Sequence, residues 1–176
     1  YKIVMNKINK CKFLITGGAG FLAGHIAERA LMLGNNVAII DIFNSETTPV
    51  NEKIKNTKIL EQVAVKNNVS FKIHKSDIRD AKSIEDIFLE EKPDIVIHAA
   101  ALARDRDSMD IPIDFIQTNV VGSQNIINAA MKVNTIKQFL ITSTRSAVGQ
   151  TLSATSLMTE DQPMRPINPY GAVSYT

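Results

Sequence analysis

The stretch Cys11-Lys-Phe-Leu-Ile-Thr-Gly-Gly-Ala-Gly-Phe-Leu-Ala-Gly24 constrains this chain more than any other. A short apolar run, Phe13-Leu-Ile15, ends at Thr16 and passes through Gly17, Gly18 and Gly20. It then enters a segment with Leu22, Ile26, Ala30 and Leu33 at helical spacing. The pattern reads as a buried strand, a glycine turn and the opening of a helix. Glycine meets two needs here: the chain reverses sharply, and its backbone can approach a ligand with no Cβ in the way. A helix starting at Gly20 points free N–H groups and a positive dipole end at that ligand, so an anion is expected.

A glycine turn alone is a weak signal, because a plain tight turn reads the same way. Asp41 strengthens it. This acid ends a second apolar run, Val37-Ala-Ile-Ile40. It follows the glycines by about twenty residues, where a dinucleotide-binding unit places a carboxylate on the ribose hydroxyls. An acid at that point disfavours a 2′-phosphate, so NAD is expected over NADP. Ordinary strand-end capping is the alternative for Asp41, and the spacing favours the ribose.

At 176 residues the chain is expected to form one domain with a real core. Its net charge of +2 comes from interspersed acids and bases, which points to neither a nucleic-acid nor a membrane partner. The lysines between positions 53 and 75 read as a solvated face. A single cysteine, Cys11, excludes an internal disulfide framework and fits a reducing compartment. No apolar segment reaches membrane-spanning length and no signal-peptide pattern is visible, so the cytoplasm is the expected location. The sequence opens on Tyr1 and ends at Thr176 as a helix begins, the pattern expected of a fragment.

Gly34-Asn35-Asn36 supplies a left-handed stop for the first helix. Further strands are expected at residues 37–41, 69–74 (near a sheet edge), 94–100 and 137–142. A polar loop is expected at 43–50 and a helix at 54–66, with Ile54, Leu60, Val63 and Ala64 inward. Asp80 can cap a helix carrying Ile84, Ile87 and Phe88 up to Pro93. A long helix over 115–132 is expected to present Ile116, Val120, Ile127 and Ala130. Residues 143–168 lack periodicity, and a loop of that length in a compact domain is usually functional or disordered.

Five strands alternating with helices specify an α/β chain with a doubly wound parallel sheet. Ligands bind beyond the carboxyl ends of such strands, at the switch between the first and fourth. The unusual residues gather there: Gly17 to Gly24, Asp41, Asp77, Ala99 to Ala101, Ser143 and Thr144.

Five motifs together resemble the extended short-chain dehydrogenases/reductases. They are Thr16-Gly-Gly-Ala-Gly-Phe-Leu22, Asp77-Ile-Arg-Asp80, His98-Ala-Ala-Ala101, Asn119-Val-Val-Gly122 and Asn168-Pro-Tyr-Gly171. Within that family the chain is most similar to the NAD-dependent nucleotide-sugar epimerases and dehydratases, and its insert after Asp41 resembles the UDP-glucuronate 4-epimerase-like branch. The likeness runs from about Lys12 to Tyr170. It implies one NAD-binding Rossmann domain over residues 1–176, cut at the start of the active-site helix, with the C-terminal substrate domain absent.

The resemblance also implies roles. Gly17, Gly20, Phe21 and Leu22 would lie at the pyrophosphate and Asp41 at the ribose, while Asp77 and Ile78 would hold the adenine. Ala99, Ala100 and Ala101 would leave room for the cofactor. Asn119 would brace the active-site backbone or the cofactor, or only make a helix-interior polar bond. Thr144 would bond a sugar hydroxyl, and Tyr170 would be the acid–base that gives a ketosugar intermediate. No metal ligand set is implied. A nucleotide sugar is the implied substrate and a homodimer the implied assembly.

The chain departs from the family pattern at three positions. Ala23 replaces the third glycine, which helix–strand packing tolerates. Val148 stands where a tyrosine is common. Ser174 replaces a lysine four residues after Tyr170 that would make the phenol more acidic and hold the nicotinamide ribose. A non-catalytic dinucleotide-binding module is therefore the second expectation. A methyltransferase-like nucleotide binder is a third, which Asn168-Pro-Tyr-Gly171 argues against.

Overall fold

A computed structural model describes residues 10–44, 48–149, 157–159 and 161–175. Its elements are β1 (Lys12–Thr16), α1 (Phe21–Met32), β2 (Asn36–Asp41), α2 (Val50–Asn67), β3 (Phe71–Lys75), α3 (Ala81–Glu91) and β4 (Ile95–His98). Then come α4 (Asp107–Asp110) and α5 (Pro112–Phe115), which runs through a π-helical segment, Ile116–Gly122, into α6 (Ser123–Met131). β5 (Gln138–Ile141), a 3-10 turn (Arg145–Ala147) and α7 (Pro169–Val173) complete the described chain.

The strands form one sheet in the order β3-β2-β1-β4-β5, and every pair is parallel. β1 is central because its residues are apolar on both faces. Phe13 and Ile15 join the core under α1 and α2, while Leu14 joins the core under α3 and α6. β3 is the edge strand that its alternating sequence predicts, and none of its residues is buried.

Local chemistry sets the ends of the helices. Asp80 accepts the Ser83 amide at 3.1 Å and starts α3. Lys92, in a left-handed conformation ahead of Pro93, stops it. Gly34 sits at φ +79 and ends α1, as expected. At the far end of α3 the buried Glu91 gathers Lys12 at 2.7 Å, His74 at 2.9 Å and Lys72 at 3.1 Å. That cluster ties α3 to the first residues of β1 and to β3.

Three inward stripes differ from the sequence expectation. α1 buries Ala23, Gly24, Ala27, Ala30 and Leu31, whereas Leu22 is exposed. Small residues line the contact with the sheet, where Ala23, Ala27 and Ala30 share one core cluster with Ile15 and Ile39. α2 starts at Val50 and buries Lys53, Thr57, Leu60 and Ala64, leaving Ile54 exposed. Along residues 115–129 the buried positions are Phe115, Asn119, Gly122, Ile126 and Ala129, one residue out of step with the expected apolar side. In the last two cases polar or small residues, Lys53 and Thr57 in one and Asn119 and Gly122 in the other, occupy the inward stripe, and hydrophobic spacing does not register them.

The expected loop at 43–50 includes positions 45–47, which lie outside the described residues. So do 1–9, 150–156, 160 and 176. The described part of the 143–168 segment contains the 3-10 turn and a bridge between Gly149 and Arg165.

Candidate functional site

The carboxyl ends of the strands open into a cavity of about 730 Å³, within the usual size range of small-molecule sites. Gly17, Gly20, Phe21, Leu22, Asp41, Asp77, Ile78, Ala99, Ala100, Ala101, Asn119 and Tyr170 all line it. Thr144 alone among the expected site residues is not part of that lining.

The floor is built from strand ends. Gly17 has φ +69, and its amide donates to the Ile40 carbonyl at 2.7 Å, joining the end of β1 to β2. A Cβ there would lie 3.1 Å from the Ala100 backbone. Beneath, the buried Thr16 hydroxyl accepts the amides of Ala99 and Ala100, each at 3.0 Å. It also lies 2.7 Å from His98 Nδ1, and His98 Nε2 is 2.8 Å from Ser123 Oγ. Burial pushes the His98 imidazole down to about 4.

Above this floor α1 begins. Gly20 caps it and contributes no side chain to the first amides. Helix geometry leaves the N–H groups of Phe21, Leu22 and Ala23 without intrahelical carbonyls, and all three residues line the cavity. The Phe21 and Leu22 side chains are 73% and 58% exposed, so their place at the mouth is not one that core packing requires.

At the β2 end of the cavity Asp41 is buried and held by three donors. Its carboxylate accepts the Phe43 amide at 2.8 Å, the Ala19 amide at 3.2 Å and Lys53 Nζ at 2.9 Å. Lys53 is only 5% exposed, which overturns its expected place on a solvated face. Its position was readable, because 53, 57, 60 and 64 are one helical stripe, but a lysine in that stripe does not register as inward-facing. Asp77 is also paired, with Arg79 Nη2 at 2.6 Å and Nε at 2.9 Å. Burial raises the Asp77 carboxyl, yet the Arg79 hydrogen bonds outweigh it and the group lies below its ordinary value. The Ile78 side chain packs in the core against Gly122, and its carbonyl accepts Asn125 Nδ2 at 3.0 Å.

At the other end Asn119 braces backbone: it donates to the Leu102 carbonyl and accepts the Leu102 amide, both at 2.9 Å. Asn168 caps α7 by accepting the Gly171 amide at 2.7 Å, and the cap sets the start of the helix that carries Tyr170. The Tyr170 ring meets Phe115 edge-on, with centroids 6.1 Å apart. Ser174 donates its hydroxyl to the Tyr170 carbonyl at 2.7 Å. Thr144 accepts the Ser146 amide at 3.2 Å and caps the 3-10 turn. Lys53 and Arg79 are the only cations among the described lining residues, and both lie away from Tyr170, beside Asp41 and Asp77.

The sequence model of the GDP-mannose 4,6 dehydratase family matches residues 14–174. The bifunctional UDP-glucose 4-epimerase and UDP-xylose 4-epimerase 1 of Pisum sativum is 31% identical over 160 residues, covering 91% of this chain and 43% of that protein. Among solved structures, the UDP-glucose 4-epimerase of Bifidobacterium longum in complex with NAD+ and UDP superposes with a TM-score of 0.77 at 28% identity. That match covers 93% of this chain and 46% of the other. The UDP-glucose 4-epimerase of Thermus thermophilus in complex with NAD gives 0.74 at 29% identity, covering 93% and 47%. The chain thus spans less than half the length of these relatives.

Proposed function

Because the chain belongs to the family of the GDP-mannose 4,6 dehydratases, we propose that it is the NAD-binding part of a nucleotide-sugar epimerase or dehydratase. The observation that carries this reading is one continuous cavity running from Asp41, past the first turn of α1, to Tyr170. The lining fits a dinucleotide, since the first turn of α1 has no side-chain cap and the residues around it are the small Gly17, Gly20, Ala99, Ala100 and Ala101. The relatives crystallised with NAD support the same cofactor here.

In this reading Gly17, Gly20, Phe21 and Leu22 hold the pyrophosphate, Asp41 takes the ribose hydroxyls, and Asp77 with Ile78 flanks the adenine. Ala99, Ala100 and Ala101 keep the strand end clear, and Asn119 fixes the Leu102 backbone beside it. NAD, when bound, supplies a hydride acceptor. The Tyr170 phenol moves the proton of the sugar hydroxyl being oxidised, leaving a ketosugar. Thr144 would reach the sugar only by giving up its cap on Ser146. The single domain over residues 1–176, a homodimer and a cytoplasmic location belong to the same reading. Among the described residues, no helix is long and apolar enough to cross a membrane.

A second reading, a dinucleotide-binding module without turnover, is favoured by one observation. Ser174 brings a hydroxyl, not a cation, to α7, and that hydroxyl already bonds the Tyr170 carbonyl. Calorimetry with NAD and NADH, followed by a turnover assay on UDP-sugars, tests both. Binding with turnover supports the enzyme, and binding without turnover supports the module. A folded chain that ignores millimolar dinucleotide defeats both.

A further inference from the structure

We propose that Lys53 sets which dinucleotide the site accepts, by cancelling the charge of Asp41 at the ribose end and standing as a latent cation for a 2′-phosphate. This rests on the reading of the cavity as a dinucleotide site.

Two backbone amides, those of Ala19 and Phe43, hold the Asp41 carboxylate whether or not Lys53 is present. The lysine is therefore not needed to place that carboxylate. What it adds is charge. A lone carboxylate excludes a phosphate monoester by repulsion, whereas an ion pair of no net charge excludes it far less. The second charged pair in this half of the lining, Asp77 with Arg79, is also neutral in sum.

The location of Lys53 is electrostatically unfavourable unless it serves the pair. It lies in the first turn of α2, where the helix dipole repels a cation, and it is 5% exposed, where burial disfavours an ammonium. Lys53 is among the residues that line the cavity, as are Asn44 and Thr48. A lysine carries its charge on four flexible carbons. With Asp41 shortened, the ammonium can turn from the missing carboxylate to an anion in the cavity.

The test compares NAD+ with NADP+, and ADP with 2′,5′-ADP, by calorimetry on four proteins: wild type, Lys53→Met, Asp41→Ala and the double variant. Thermal melts monitor folding. Lys53→Met is expected to widen the preference for NAD+ over NADP+ by about tenfold or more, the size of a charge-assisted hydrogen bond. Asp41→Ala is expected to tighten NADP+ and 2′,5′-ADP by a similar factor, and the double variant to lose that gain. If Lys53→Met unfolds, the comparison of Asp41→Ala with the double variant decides. Equal NADP+ affinity in those two proteins overturns the proposal. Wild type that binds NAD+ while the NADP+ to NAD+ ratio ignores position 53 sinks this inference alone. Folded wild type that binds neither dinucleotide overturns the underlying reading and this inference with it.

Discussion

The Thr16 hydroxyl and His98 Nδ1 lie 2.7 Å apart beneath the cavity, and the surrounding bonds decide where the protons are. Thr16 Oγ1 accepts two backbone amides, so its own hydrogen is directed at His98. Nδ1 is then the acceptor, and the ring is neutral with its hydrogen on Nε2, donated to Ser123. One hydroxyl thereby joins β1, β4 and α6.

This arrangement predicts a pH dependence. The imidazole titrates at its ordinary value of 6.5 when unfolded and at about 4 when folded. Above 6.5 both states are neutral and nothing is lost. As the pH falls from 6.5 to 4 the unfolded chain takes up a proton that the folded chain refuses, and stability drops by about 3 kcal/mol. Urea midpoints at about pH 7, 5.5 and 4 check this, with His98→Gln expected to show a shallower decline from a lower start. Equal slopes in the two proteins would refute the assignment.

Replacing Thr16 by valine keeps the shape and removes the hub. The Ala99 and Ala100 amides and His98 Nδ1 lose their partner together, at a cost of about 3 kcal/mol or more. Thr16→Ser retains the hydroxyl and should lose about 1 kcal/mol, for the buried methyl alone. Chemical denaturation of both variants gives the comparison, and an equal loss in the two would place the effect in packing.

Glu91 makes a separate acid-sensitive point. Burial raises its carboxyl, but the bonds from Lys12, His74 and Lys72 outweigh this and bring it to about 2. Its contribution is present above the unfolded value of 4.5 and disappears as the pH falls through about 2. Glu91→Ala removes the carboxylate shared by Lys12, Lys72 and His74, leaves two ammonium groups without it, and is expected to cost about 1–3 kcal/mol at neutral pH. Circular dichroism during acid titration should show Glu91→Gln unfolding with a weaker dependence on pH between 4.5 and 2 than wild type.

Ser174→Lys tests the catalytic half of the proposal. The substitution brings a cation to the helix of Tyr170 and is expected to raise turnover in a UDP-sugar assay by up to about tenfold. NAD affinity measured alongside separates a gain in chemistry from a gain in binding. Unchanged turnover with unchanged affinity would discredit the role given to Tyr170.

The glycine turn and the parallel sheet were legible because each rests on local chemistry: Gly17 on a sharp reversal, Asp80 on a cap, Phe13-Leu-Ile15 on burial of both faces. The stripe that holds Lys53 was legible but its pairing with Asp41 was not, since no local pattern links α2 to the end of β2. Thr144 is the converse case. It follows β5 at the expected place, but its backbone turns the hydroxyl into a cap. The phase error along residues 115–129 has the same origin: Asn119 and Gly122 face inward because a backbone segment and Ile78 need them there.

The cavity floor consists of main chain and methyl groups: Gly17, Gly20, Ala99, Ala100 and Ala101. Such a surface has only the methyl groups of Ala99, Ala100 and Ala101 left to trim, so sequence change acts chiefly by filling it. Variation at these positions should therefore be lopsided, with any larger side chain intruding on whatever lies above. The breadth of ligands that the site admits must accordingly be set from the walls, by residues such as Lys53, Asp77 and Tyr170.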